Sequence, residues 1–286
     1  MDLNSKNTRV AGRMSQMRKR RFTGIAISVL CIILLWGLVS MQSASLQNSA
    51  WMTGYVLMAC LFFLAAYNLR KKLPFLPRVG SSKMWMQLHI YVALVSIAIF
   101  IGHVGFKIPN GAFEQLLASL YVIVAGSGIY GLYVTRTVPK RLTAIRNEVI
   151  FEQIPAHRKR LTSLARTLIL DSAKTTDVLA KFYVNQLVYF FEKPRSIAYQ
   201  LSPSLRRSKQ LMAEIQGLDR YLSDSQQEQR RQLSDLIQAK EDLDYHWALQ
   251  GKLKVWMFVH IGLTYSLLLV AMLHGIMAHS FGGGLR

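Results

Sequence analysis

The chain has 286 residues, 51% of them hydrophobic, and carries 35 Lys and Arg against 15 Asp and Glu, a formal net charge of +20. In a soluble protein that excess would point to nucleic acid, but the charges are segregated: none falls between Phe22 and Asn68, and the other long apolar tracts are nearly as bare. The two cysteines, Cys31 and Cys60, both sit in apolar tracts, which excludes a C-x-x-C-H haem attachment, a cysteine zinc site and an iron–sulfur cluster and leaves them as small packing residues.

Residues 1–21 form a basic arm with seven Lys and Arg, ending in Arg18-Lys19-Arg20-Arg21. Residues 22–134 read as four transmembrane helices, at 22–41, 51–67, 84–106 and 113–134, since crossing the hydrocarbon core takes about 20 mostly apolar residues. The first is too long for the apolar core of a signal peptide and is read as a retained span. Residues 135–254 are polar and helical in period, as in Leu161, Leu164 and Leu168 or Leu233, Leu236 and Ile237, with Pro139, Pro155, Pro194 and Pro203 as breakers. Four or five helices are expected there, the last starting near Ser225 and running on into a fifth span at 255–278. The transmembrane unit continues to residue 279, and 280–286 is a short Gly-rich tail. Trp51, Trp85, Tyr133 and Trp256 fall near span ends, as interfacial aromatics do. The fold class is therefore an all-α membrane protein, five transmembrane helices with a helical insert between spans four and five.

The positive charges choose an orientation. With five spans, the arm, the loop holding Arg70, Lys71, Lys72, Arg78 and Lys83, and the insert lie on one side, and only Lys107 and Arg286 lie on the other. The N-terminus is then cytoplasmic and the C-terminus outside, in a membrane of the bacterial inner (cytoplasmic) type. The excess charge reports topology and contact with anionic lipid rather than nucleic acid. The insert from Arg136 to Lys254 holds 21 basic and 13 acidic residues and has neither G-x-x-x-x-G-K-[ST] nor G-x-G-x-x-G. It reads as a cofactor-free support or docking domain.

Four of the seven histidines form a pattern. His89 and His103 lie 14 residues apart in the third span, and His260 and His274 lie 14 apart in the fifth. Fourteen helical residues rise about 21 Å and end about 40° short of whole turns, so each pair shares one face. Both spans run outward, so His89 shares a depth with His260 and His103 with His274. Neutral imidazoles paired across helices suit the two axial positions of a low-spin haem iron. Ionisable residues inside spans are rare and usually functional. The expected cofactors are two non-covalent haems b, with His89, His260, His103 and His274 as axial ligands of the haem irons. Interhelical hydrogen bonding, or a proton-coupled transporter using the same histidines, is the competing reading. Gly102, Gly105, Gly262 and Gly275 beside the histidines, and Gly126, Ser127, Gly128 and Gly131 in the fourth span, suit either a flat macrocycle or close helix packing. Lys83, Lys107 and Lys254 lie near the depths of haem propionates. His279 is a weaker ligand candidate than His274, His157 belongs to a solvated basic run, and His246 precedes the fifth span.

The two H-x13-H pairs, with the stretches LHIYVALVSIAIFIGHVGF and FVHIGLTYSLLLVAMLHGIMAH, resemble the ferric-reductase-like transmembrane domain, a family of dihaem b-type cytochromes. The resemblance covers less than half of the chain and implies two stacked haems on the four named histidines. The chain departs from the family in having five spans, an insert of about 120 residues between the last two, and no flavin or nicotinamide domain after the last. The implied role is a membrane subunit carrying electrons across the bilayer, supplied by separate redox proteins of iron–sulfur, flavin or cytochrome c type, or by quinol, within a multi-subunit complex. A stand-alone ferric or quinol-linked reductase is the alternative.

Overall fold

The computed structural model describes residues 26, 33, 37, 49–72, 81–105, 107–145, 149–173, 177–204 and 206–281. The expected first span, 22–41, lies outside the described residues apart from those three isolated positions. Among the described residues there is no strand. Among the described residues four helices are long and apolar enough to cross a membrane, and only 11–22% of each apolar window is buried within the protein. Helices this apolar with this much outward surface have the make-up of a multi-pass membrane protein. The chain divides into two compact units, 1–129 with 259–286, and 130–258.

The first unit is built from α1 (Ser49–Lys72), α2 (Ser82–Val104), the start of α3 (Ala112–Leu142) and the end of α9 (Asp224–Phe281). Ser81 caps α2 by accepting the Met84 amide at 3.3 Å, and Gly105 closes it with a left-handed φ of 67° and an amide donated to Ile101 O at 3.0 Å. The helix thus stops just after His103. All four helices meet in a small core of Leu57, Leu61, Ile99, Tyr121, Leu267 and Ala271. Inside it the Ser96 hydroxyl donates to Ala93 O at 2.8 Å and so accepts from Tyr121 at 2.9 Å, satisfying both groups away from water.

The second unit is built from helices joined by short turns. It comprises the end of α3, a 3₁₀ turn at Phe151–Gln153 leading into α4 (Ile154–Ala173), α5 (Asp177–Phe182) continuing through a π-helical turn at Tyr183–Leu187 into α6 (Val188–Glu192), α7 (Ile197–Leu201), α8 (Arg206–Gln216) and the start of α9. Its core gathers Ala165, Leu179, Leu187, Phe190, Leu211, Ile215, Leu233 and Ile237. The helical character expected of residues 135–254 is present among the described residues, with two adjustments. α3 continues through Pro139 to Leu142, past the apolar limit at residue 134, because Val134 and Val138 are buried against Leu249 and the packing outweighs the amide that proline lacks. Pro155 also interrupts nothing, since it occupies the first turn of α4, where no intrahelical amide bond is lost. Pro194 and Pro203 do fall between helices. α9 starts at Asp224, one residue from the expected start, and Gln226 reaches back to accept the Ser223 amide at 2.9 Å, half of a capping box.

Candidate functional site

His89, His103, His260 and His274 are all half-buried within the first unit, whereas His279 and His157 are exposed. Their neighbours fix the register of the bundle. On α1, Thr53 Oγ1 hydrogen-bonds His103 Nδ1 at 3.0 Å, and the Tyr67 ring lies 5.1 Å from that of His89. Thr53 and Tyr67 are themselves 14 residues apart. On α3, the Phe113 ring stacks on His274 at 6.2 Å and Ser127 Oγ meets His260 Nδ1 at 2.6 Å, again a spacing of 14. α1 is therefore antiparallel to α2, and α3 to α9. α1 also runs antiparallel to α9, because Trp51 meets His279 and Gly275 faces Met58. α2 and α9 consequently run the same way. Thr53 lies between Trp51 and Met58 on α1, which brings His103 to the level of His274. At the other level Asn68, next to Tyr67 on α1, donates to the Tyr265 hydroxyl of α9 at 3.5 Å, which brings His89 toward the level of His260. The unit thus holds two histidine levels, with the Leu57, Ile99, Tyr121 and Leu267 core between them.

The hydrogen bonds orient the rings. The Ser127 hydroxyl donates to Val124 O at 3.0 Å, so its oxygen accepts from His260 Nδ1–H. That assigns the tautomer and leaves the Nε2 lone pair of His260 available to a metal. Thr53 makes the matching contact to His103. Each hydroxyl is followed by a glycine that lets the helix approach the ring: a Cβ on Gly54 would sit 3.2 Å from His103 Cε1, and one on Gly128 3.6 Å from His260 Cε1. Neither hydroxyl was singled out from sequence as a histidine partner, although the 14-residue spacings of Thr53 with Tyr67 and of Phe113 with Ser127 were there to be read.

No family model, curated protein or solved structure matches this chain. The site must therefore be judged on its own chemistry. Among the described residues no three His, Cys, Asp or Glu side chains group to hold a bare metal ion. A haem iron asks the protein only for an axial pair, and the two histidine levels fit that demand. His89 Nδ1 is buried with no hydrogen-bond partner among the described residues, a polar atom that the protein alone does not satisfy. A Cβ placed on Gly102 or Gly262 meets nothing within 4 Å, so close helix packing does not require either glycine; Gly262 is exposed, on the side of α9 away from His260.

The other candidates sort differently. Gly131 serves packing, since a Cβ there would lie 1.9 Å from Trp256 Cζ2. Lys254 forms an ion pair with Glu152 and lies 4.2 Å from the Phe151 ring centre. Lys83 and Lys107 are exposed. His246 is only 2% exposed, inside the second unit, with Gln250 at 3.3 Å from its Nδ1.

Proposed function

We propose that the chain is a dihaem b-type cytochrome membrane subunit that moves electrons across a bilayer between a redox partner or quinol on one side and an acceptor on the other. The observation that carries the reading is the paired histidine levels on parallel α2 and α9, with His103 and His260 each held at Nδ1 by a hydroxyl of a neighbouring helix. His89 with His260, and His103 with His274, would be the axial pairs. Bound haem would supply one-electron chemistry, and the chain's part is to hold the macrocycles, fix the imidazole tautomers and exclude water. The resemblance of the two H-x13-H pairs to the ferric-reductase-like transmembrane domain points the same way. On this reading the chain has five spans, a cytoplasmic N-terminus and an outer C-terminus, lies in an inner membrane of bacterial type, and receives electrons from a separate redox protein or from quinol.

The test is haem content. Purified protein should give close to two equivalents of haem b per chain in a pyridine haemochrome assay, all extractable by acid acetone because no cysteine is placed for a thioether link. A value near zero from cells supplied with haem would overturn the proposal and favour a transporter that uses the histidines for protons.

A further inference from the structure

The second unit contains a cleft of about 450 Å³ between α4 and the α6–α7 connection, with the charged, N-terminal half of α9 as its floor. Five cations line it, Arg158, Lys159, Arg166, Lys193 and Lys240, against one carboxylate, Glu192. The floor is dry. Lys240 is 2% exposed and pairs with Asp244, which also receives Arg158 at 2.6 Å and Arg195 Nε at 2.9 Å. Arg195 further pairs with Glu241, and the Tyr199 hydroxyl donates to the same carboxylate at 2.7 Å. Three buried or nearly buried cations thus face two carboxylates, and one positive charge is left over in a low-dielectric place, where an uncompensated charge is costly. At the exposed rim Arg166 is matched by Glu192, while Lys159 and Lys193 form no ion pair among the described residues and add to the excess. The charges facing Lys240 shape it in turn: burial, opposed by Asp244 and reinforced by Arg158 and Arg195, holds its amine below the usual lysine range.

We propose that this cleft binds a phosphate-bearing ligand, its phosphate oxygens seated over Lys240 and Arg158 and held at the rim by Lys159 and Lys193. Arginine forks and lysine point charges are the side chains that recognise phosphate. The cleft is larger than one phosphate, and Phe191 and Pro194 give it an apolar wall against which an organic remainder fits. That remainder is either a small soluble phosphate ester or the glycerol of an anionic lipid. The cleft is independent of the histidine site and stands whether or not haem is bound there.

The full-length protein in neutral detergent carries its own reporter, because Arg158 lies 5.3 Å from the ring centre of Trp247, which stacks on Phe151 at 4.2 Å. Titration with pyrophosphate forms one arm, and titration with short-chain phosphatidylglycerol, against phosphatidylcholine as control, forms the other. Saturable binding of at least one anionic probe is expected, weakened about tenfold or more in Lys159→Gln/Lys193→Gln, as loss of charged hydrogen bonds implies. Both substitutions are at exposed positions and leave the buried network intact; Lys240→Met should abolish binding. Saturation by pyrophosphate alone identifies soluble phosphate compounds as the source, and saturation by phosphatidylglycerol alone identifies lipid headgroups. If neither probe binds, or the rim variant binds as well as the parent, the proposal fails.

Discussion

Ser127→Ala is the sharpest probe of the histidine site, because one atom changes and its partner is known. The substitution removes the acceptor of His260 Nδ1–H, 2.6 Å away, and leaves that proton without a partner in a part-buried place. A neutral hydrogen bond contributes about 0.5–1.5 kcal/mol net. Donation from Nδ1–H makes the imidazole a better electron donor, which stabilises ferric over ferrous iron. If the whole contribution falls on the oxidised state, its loss raises the midpoint potential of that haem by about 20–65 mV, taking about 59 mV per tenfold for one electron. Ser127→Thr keeps the hydroxyl and should stay near the parent value. On the proposed dihaem reading, a redox titration followed in the visible haem bands reads both centres at once, and the haem assigned to His103 should hold its potential. Two unmoved waves at full haem content would refute the assignment of Ser127 as the orienting partner of a ligand; two equally moved waves would show a general loosening of the bundle instead.

The remaining expectations are as concrete. His89→Ala and His260→Ala should each lose the same haem, and His103→Ala and His274→Ala the other, as read by residual spectra of the four variants. Gly54→Ala should perturb the His103 haem more than Gly128→Ala perturbs the His260 haem, because the added carbon comes 3.2 Å rather than 3.6 Å from the ring; low-temperature spectra of the two variants decide it. Asp244→Ala, which strands Arg158, Arg195 and Lys240 around a missing carboxylate, should destabilise the second unit by about 3–5 kcal/mol in denaturant unfolding. Gly131→Leu should cost about 1–3 kcal/mol or more by overpacking, seen as a lower melting temperature in detergent, since Trp256 already occupies the space.

What could be read from the residues alone follows from the kind of signal each part carries. The apolar tracts and the doubled 14-residue spacing of His89 with His103 and His260 with His274 are one-dimensional patterns, and helix geometry turns them directly into faces and levels. The helical character of the insert was equally visible in its leucine periodicity. Less visible was anything set by a cross-helix partner. Pro139 reads as a breaker until Val138 is seen packed against Leu249. Thr53 and Ser127 are ordinary small polar residues until another helix brings a ring to them. Lys240, Glu241 and Asp244 carry no sequence signal of burial, yet all three are buried: Arg158 on α4 and Arg195 supply counter-charges to the two carboxylates from 46 to 86 positions away, and Asp244 in turn pairs Lys240.

The recurrence of one interval on four helices has a bearing on how this bundle tolerates change. Thr53 and Tyr67, His89 and His103, Phe113 and Ser127, and His260 and His274 are four rulers of equal length laid side by side. A substitution between two marks alters packing at one place. Deleting a single residue there turns everything beyond it by about 100° and draws it back about 1.5 Å, so that one mark stays on its partner while the other swings off. Length between the marks is thus held by phase at both ends, and an insertion that preserves both contacts has to add close to whole turns and then find matching additions in the other three helices.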